Sequence, residues 1–280
     1  VKIGVMMFPT DKAIGPVELA KATEERGFES LWFPEHSHIP TSRETPWGGN
    51  EGAPPLPEEY WRTHDQFVSL GAAAAVTENL VLGTGITLVA QRDPIWLAKE
   101  AATVDRISNG RFILGIGYGW NKEELRNHGV KYTDRRAITR EMMLAVRELW
   151  TNDEAEFHGD WVNFDSSWAW PKPVQEGGPK VILGGAAGPK TIADIVEFCD
   201  GWMPISGRYD LEVPMKQIRE SAIEAGRDAD DIEFGQFGTP PKPEILESLE
   251  EIGCTRVVLA LPPADADTVL PILDKYTALL

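Results

Sequence analysis

Cysteine is almost missing from this 280-residue chain, which has only Cys199 and Cys254. Two thiols give neither a disulfide framework nor metal-ligand spacing, and their scarcity suits a reducing cytoplasm. Each lies in an apolar stretch, as buried structural thiols do. Long hydrophobic runs are missing too. The longest, such as LGAAAAV (70–76) and FILGIG (112–117), fall well short of the roughly 20 residues that span a bilayer. No charged-then-apolar export signal is visible near the N-terminus. Positive charge is in deficit: 27 Lys and Arg against 44 Asp and Glu leave a net charge of −17. That balance argues against nucleic acid or an anionic membrane as a partner. The deficit is uneven, with −3 on residues 1–150 and −14 on residues 151–280. An anionic ligand is therefore expected mainly on the N-terminal half, or at backbone amides rather than a basic patch.

What is present is a regular alternation. Short β-branched or apolar runs at 2–8, 30–34, 80–86, 111–117, 180–185, 200–205, 231–237 and 255–261 read as strands. Helical patterns at 16–27, 63–79, 96–110, 135–150, 190–199, 213–226, 242–253 and 268–280 follow them. Thr63 is a plausible cap, and Gly27, Gly110, Gly226 and Gly253 stand where helices stop. Eight strands alternating with helices predict an α/β fold, a (β/α)₈ TIM barrel forming one domain over residues 1–280. An open doubly wound sheet is the competing architecture, but G-x-G-x-x-G is missing after the first strand. Two excursions interrupt the alternation: 35–62, rich in Gly and Pro, and 151–180, which reads as a short hairpin plus an extended segment. Such excursions cover active sites or make subunit contacts.

In a barrel the loops after the strands build the active face, so residues there are the candidates. After the second strand comes PEHSHIP, with Glu35, His36 and His38. A metal-dependent hydrolase would need further ligands at other strand ends. His64, His128 and His158 do not directly follow a strand, so no metal site is expected. A lone histidine at a barrel mouth can instead give or take a proton, or simply pack in its loop. The third strand ends in GTGIT (83–87) and the fourth in GIGYGWNKEE (115–124), whose alternating glycines and acidic helix start resemble a loop presenting amides to an anion. GGAAGPKT (184–191) is a second small-residue turn into a helix. The spacing is not that of a P-loop. Ten tryptophans suit either packing or a flat heterocyclic ligand.

Together, IGVMMFP, SLWFPEHSHIP, LVLGTGITLVAQRDPIWLAKEAATVDRISNGRFILGIGYGWNKEE, FHGDWVNFDSSWAWPKPVQ and ILGGAAGPKTIADIVEFCDGW resemble the luciferase-like monooxygenase superfamily. They run in family order over roughly residues 2–205 and are most similar to its deazaflavin-dependent oxidoreductases. The resemblance implies a luciferase-like (β/α)₈ barrel whose mouth binds coenzyme F-420, an 8-hydroxy-5-deazaflavin, or alternatively FMN. It implies a non-prolyl cis peptide at Gly85–Ile86, with Gly85, Ile86 and Thr87 backing the ring. It places Gly117, Tyr118, Gly119, Trp120 and Asn121 on one side of the cofactor's phosphate and Gly184, Gly185 and Ala186 on the other. His36, with Glu35 beside it, matches the catalytic position near the reactive ring edge, although several deazaflavin-dependent members carry aspartate where Glu35 stands. A sugar-phosphate dehydrogenase of the family has Thr-Gly-Glu where this chain has Tyr118-Gly119-Trp120, so that enzyme's acid is missing. The implied activity is hydride transfer between coenzyme F-420 and an organic substrate in a cytoplasmic homodimer. An FMN-dependent monooxygenase and a non-catalytic cofactor-binding barrel are the alternatives.

Overall fold

The computed structural model describes residues 1–207 and 210–280. Strands β1 (Lys2–Met6) and β2 (Ser30–Phe33) flank helix α1 (Pro16–Glu25). Helices α2 (Glu59–Arg62) and α3 (Gln66–Ala74) then lead to β3 (Val81–Thr84) and β4 (Thr87–Leu88). There follow α4 (Pro94–Ile107), β5 (Phe112–Gly117), α5 (Lys122–Asn127) and α6 (Arg135–Thr151). An antiparallel hairpin comes next, β6 (Ala155–His158) with β7 (Asn163–Ser167). The chain continues through β8 (Lys180–Leu183), α7 (Pro189–Phe198), β9 (Gly201–Trp202), α8 (Glu212–Glu224), β10 (Glu233–Phe237), α9 (Pro243–Glu251), β11 (Arg256–Ala260) and α10 (Ala266–Tyr276).

The main sheet runs β3-β2-β1-β11-β10-β9-β8-β5-β4, and an additional β3–β5 pairing closes it. All its pairings are parallel. Taking β3 and β4 as two halves of one staved position, this is the eight-stranded barrel expected from the alternation. The expected continuous third strand is broken, and the register explains how. Leu82 lies opposite Phe112, an offset of 30, whereas Thr87 lies opposite Ile116, an offset of 29. One extra residue is therefore accommodated between the halves, as in a bulge, and the Gly85–Ile86 peptide within it is cis.

Burial follows the two-faced logic of each strand. Leu31 and Phe33 point outward into the layer between sheet and helices. Trp32 points inward and packs with Ile113, Ile182, Met203, Phe237 and Val258 in a separate cluster inside the barrel. At the strand starts, Arg256 donates to Glu29 at 2.7 Å and to Glu233 at 3.1 Å, closing the face opposite the mouth with charge. Helix α3 differs from expectation at its start. Asp65 caps it by accepting from the Val68 N–H at 2.9 Å, while Thr63 bridges to Thr10. A carboxylate accepts from a helix amide more strongly than a hydroxyl does, so the stronger cap sets the boundary. Among the described residues no helix is long and apolar enough to cross a membrane.

Candidate functional site

The bulge at 84–86 is packed against glycines, and this is the physical reason for GTG and GIG in the sequence. A Cβ on Gly115 would sit 2.0 Å from the Thr84 carbonyl oxygen, and one on Gly117 would sit 2.4 Å from Ile86 Cδ1. On the far side a Cβ on Gly184 would approach Ile86 Cγ2 to 3.2 Å. The Thr84 hydroxyl donates to the Gly115 carbonyl at 2.7 Å and ties the two strands together. Gly85 lies over the barrel interior, where a Cβ would meet Phe237 at 3.2 Å and Trp32 at 3.4 Å. The result is an apolar shelf with Ile86 partly exposed above the Trp32 cluster. Thr87, expected to back the cofactor, is fully buried and donates its hydroxyl to Gln66 Oε1 at 2.5 Å. Gly115→Ala should lower stability by about 1–3 kcal/mol, because a backbone oxygen has to move. An unchanged denaturant midpoint would show that the close approach is dispensable.

At one edge of the mouth stands His36, 9% exposed, with Nδ1 2.7 Å from Oε2 of Glu124. Glu124 is fully buried, and its Oε1 accepts from the Ser37 N–H at 3.2 Å. Rings surround the imidazole: Tyr60 at 5.0 Å and Trp120 at 5.8 Å between centroids, with Phe8 and Trp47 packed on Tyr60 at 4.8 and 5.9 Å. Trp120, expected near the cofactor tail, thus stands beside His36, with the Arg43 guanidinium 5.8 Å from its ring centroid. The 35–62 excursion supplies three members of this group: His36, Tyr60 and Trp47.

His38 belongs to a different network. Asn127 donates to His38 Nε2 at 2.8 Å, which leaves Nδ1–H for Ser37 Oγ at 2.9 Å; that hydroxyl then donates to His128 Nε2 at 2.7 Å. Burial, with His38 alongside, holds His128 below its ordinary pKa. Among the described residues no three His, Cys, Asp or Glu side chains are grouped to hold a metal ion.

Glu35, expected to act with His36, has both oxygens engaged elsewhere. Oε2 accepts from the Leu88 N–H at 2.6 Å and Oε1 from Arg92 Nε at 2.8 Å, with a second, shorter contact from Arg92 Nη2. Arg92 also donates to Glu100 at 2.7 Å and lies over the Phe67 ring. A cavity of about 360 Å³ opens between these groups and His36, with His64 and His128 in its wall.

At the other edge, the loops after β5 and β8 meet. The Tyr118 hydroxyl donates to Asp194 Oδ2 at 2.5 Å, and the Arg136 guanidinium carbon lies 3.9 Å from the Tyr118 ring centroid. Burial, reinforced by Asp194, pushes the phenol far above its ordinary range. Arg136 donates from Nη2 to Thr191 Oγ1 at 2.7 Å. Its Nη1 is buried without a hydrogen bond among the described residues, 3.6 Å from Asp194. Gly185 takes a left-handed φ of 116° with open space where a Cβ would be, and the Trp202 indole holds its carbonyl at 2.9 Å. Gly184 donates to the Ile116 carbonyl at 2.9 Å and Gly188 to that of Ala186 at 3.0 Å. Gly119, φ 79°, packs beside Leu125. Asn121 caps α5, and its Nδ2 is a second buried donor without a hydrogen bond among the described residues. A cradle with a buried arginine donor free of hydrogen bonds among the described residues, an open left-handed glycine and a neighbouring apolar shelf fits a flat ring carrying an anionic tail.

Sequence reasoning missed Glu124 and Arg136. The signal for Glu124 is present in NKEE: Asn121 at the cap and Glu124 three residues later form the pattern of a capping box. Here the glutamate reaches out to His36 instead. Arg136 is the second residue of the amphipathic helix α6 and carries no local signal.

Comparison with known proteins agrees with this architecture. The luciferase-like monooxygenase family profile matches residues 13–240. An uncharacterized protein of Mycobacterium tuberculosis is 39% identical over 279 residues, covering 99% of this chain and 98% of its own. An F420-dependent glucose-6-phosphate dehydrogenase of Nakamurella multipartita is 29% identical, over 78% of this chain and 62% of its own length. Among solved structures, a monooxygenase from Streptomyces bottropensis superposes with a TM-score of 0.82 at 19% identity, covering 100% of this chain and 98% of that one. With a family profile spanning most of the barrel and a full-length relative at this identity, the chain belongs to the luciferase-like monooxygenase family.

Proposed function

We propose that the chain is an oxidoreductase that moves a hydride between coenzyme F-420 and a small organic substrate held beside His36. The observation that carries this reading is the juxtaposition around the Ile86 shelf: a buried histidine–carboxylate pair at one edge and, at the other, a buried Arg136 Nη1 without a hydrogen bond among the described residues, with the open Gly185 turn. The deazaflavin supplies the hydride-accepting and hydride-donating carbon when bound. Ile86, with Gly85 and Gly117, would back its ring, and Arg136 with the Gly119 and Gly185 turns would hold its anionic tail. His36 would exchange a proton with the substrate, and the Tyr60–Trp120 wall would exclude water from it. Glu35 is assigned a positioning role, clamping the loop after β2 to the turn after β4. The relative named for F420 dependence supports the deazaflavin; that relative's sugar-phosphate substrate is not adopted, since Trp120 replaces the acid noted above.

FMN, with its tricyclic ring and phosphate, suits the same cradle, and the fold is shared with a monooxygenase. Titration of the purified protein with each cofactor, followed by tryptophan quenching, separates them. Saturable quenching by F-420 with weak response to FMN is expected. Tight FMN binding with none of F-420 would overturn the proposal.

A further inference from the structure

The carboxylate behind His36 has an unusual setting. Glu124 is the third residue of α5, the position from which a glutamate ordinarily turns back to its helix cap. Instead it is wholly buried and both oxygens are used, Oε2 by His36 Nδ1 at 2.7 Å and Oε1 by the Ser37 N–H at 3.2 Å. An amide N–H can only donate, so Oε1 must be an acceptor. A carboxylate only accepts, which makes Nδ1 the protonated nitrogen of a neutral His36. His36 Nε2 carries no hydrogen bond among the described residues and is left as the lone-pair nitrogen.

We infer that Glu124 is a positioning residue that locks His36 as its Nδ1–H tautomer, so that Nε2 is the atom that exchanges a proton with substrate. This rests on the reading of His36 as the proton-exchanging group. The substrate proton passes to Nε2, and the imidazolium keeps its Nδ1–H on the carboxylate; return of the proton restores the starting state. Loss of the carboxylate need not disturb packing, because glutamine is isosteric, but it should reverse the tautomer. With the amide oxygen held by the Ser37 N–H, the amide NH₂ faces Nδ1, which then accepts, and the ring proton moves to Nε2.

The test is a long-range ¹H–¹⁵N correlation on histidine-labelled protein, with the His36 signals assigned by their absence from His36→Gln. Neutral His36 in the unaltered chain is expected to show Nδ1 protonated, and Glu124→Gln to show Nε2 protonated. Turnover of the variant should fall on the order of 10²–10⁴-fold with F-420 affinity unchanged. An Nε2–H tautomer in the unaltered protein overturns the proposal, even if Glu124→Gln fails to fold. Retention of Nδ1–H in folded Glu124→Gln overturns it as well. The spectrum requires no cofactor, so an Nδ1–H tautomer in a protein that binds neither F-420 nor FMN would refute the proposed function and leave the Glu124 assignment standing.

Discussion

Replacing His36 with alanine is expected to lower turnover by about 10²–10⁴-fold while leaving F-420 affinity within a few-fold of the parent. The asymmetry follows from where the residue sits. His36 touches Tyr60, Trp120 and Glu124, whereas the shelf is built by Ile86 with Gly85, Gly115, Gly117 and Gly184, and the anion cradle by Arg136 with Gly119 and Gly185. Nothing in the shelf or cradle hydrogen-bonds to the imidazole, so its removal takes away proton exchange and spares the cofactor's seat. The measurement is single-turnover bleaching or recovery of F-420 absorbance with an alcohol or carbonyl substrate found by panel screening, beside a binding titration of the same variant. Parental turnover in His36→Ala would remove the residue from catalysis. A collapse of cofactor affinity would move it into the binding site.

Replacing Glu35 with alanine should act on stability instead, at a cost of about 2–3 kcal/mol, at or below the lower end of what breaking a buried ion pair costs, since this pair is partly buried. The lower end applies because Arg92 keeps Glu100 at 2.7 Å and Asp65 at 3.4 Å, so its charge is not left unpaired. What it loses is its least exposed partner, and the Leu88 N–H loses its acceptor at the same time. Chemical denaturation of Glu35→Ala, with turnover measured on the folded fraction, distinguishes the two roles open to this residue. A large fall in stability with turnover per folded molecule within about tenfold marks a clamp. Unchanged stability with abolished turnover would make Glu35 a catalytic group.

Adjacent residues with such different tasks show where local reading stops. Glu35 and His36 are neighbours in PEHSHIP, and both follow a strand at the barrel's active end. A loop leaving a strand can send successive side chains to opposite sides. Whether Glu35 meets a substrate or Arg92, 57 residues away, depends on how the turn after β4 closes over it. Unequal roles for His36 and His38 were expected from the lack of ligand histidines after other strands. The two rings have different hydrogen-bond partners, Glu124 for His36 and Ser37 with Asn127 for His38. The partner of His36 was not legible, because Glu124 is 88 residues distant and its local pattern advertises a helix cap.

The alternation of strand and helix, the strand ends that form the mouth, the two excursions and the glycine-rich turns were all determined by the sequence alone. Each depends on short-range periodicity, backbone freedom and turn chemistry, which act within a few residues. The tertiary structure decided what the glycines are for: Gly115 and Gly117 make room for a bulge arriving from the neighbouring strand. It also decided which carboxylate serves His36 and which cation stands over the cradle. Those pairings join β2 to α5 and α6 to α7, and only closure of the barrel brings them within the 3 Å or so at which a proton or a charge is shared.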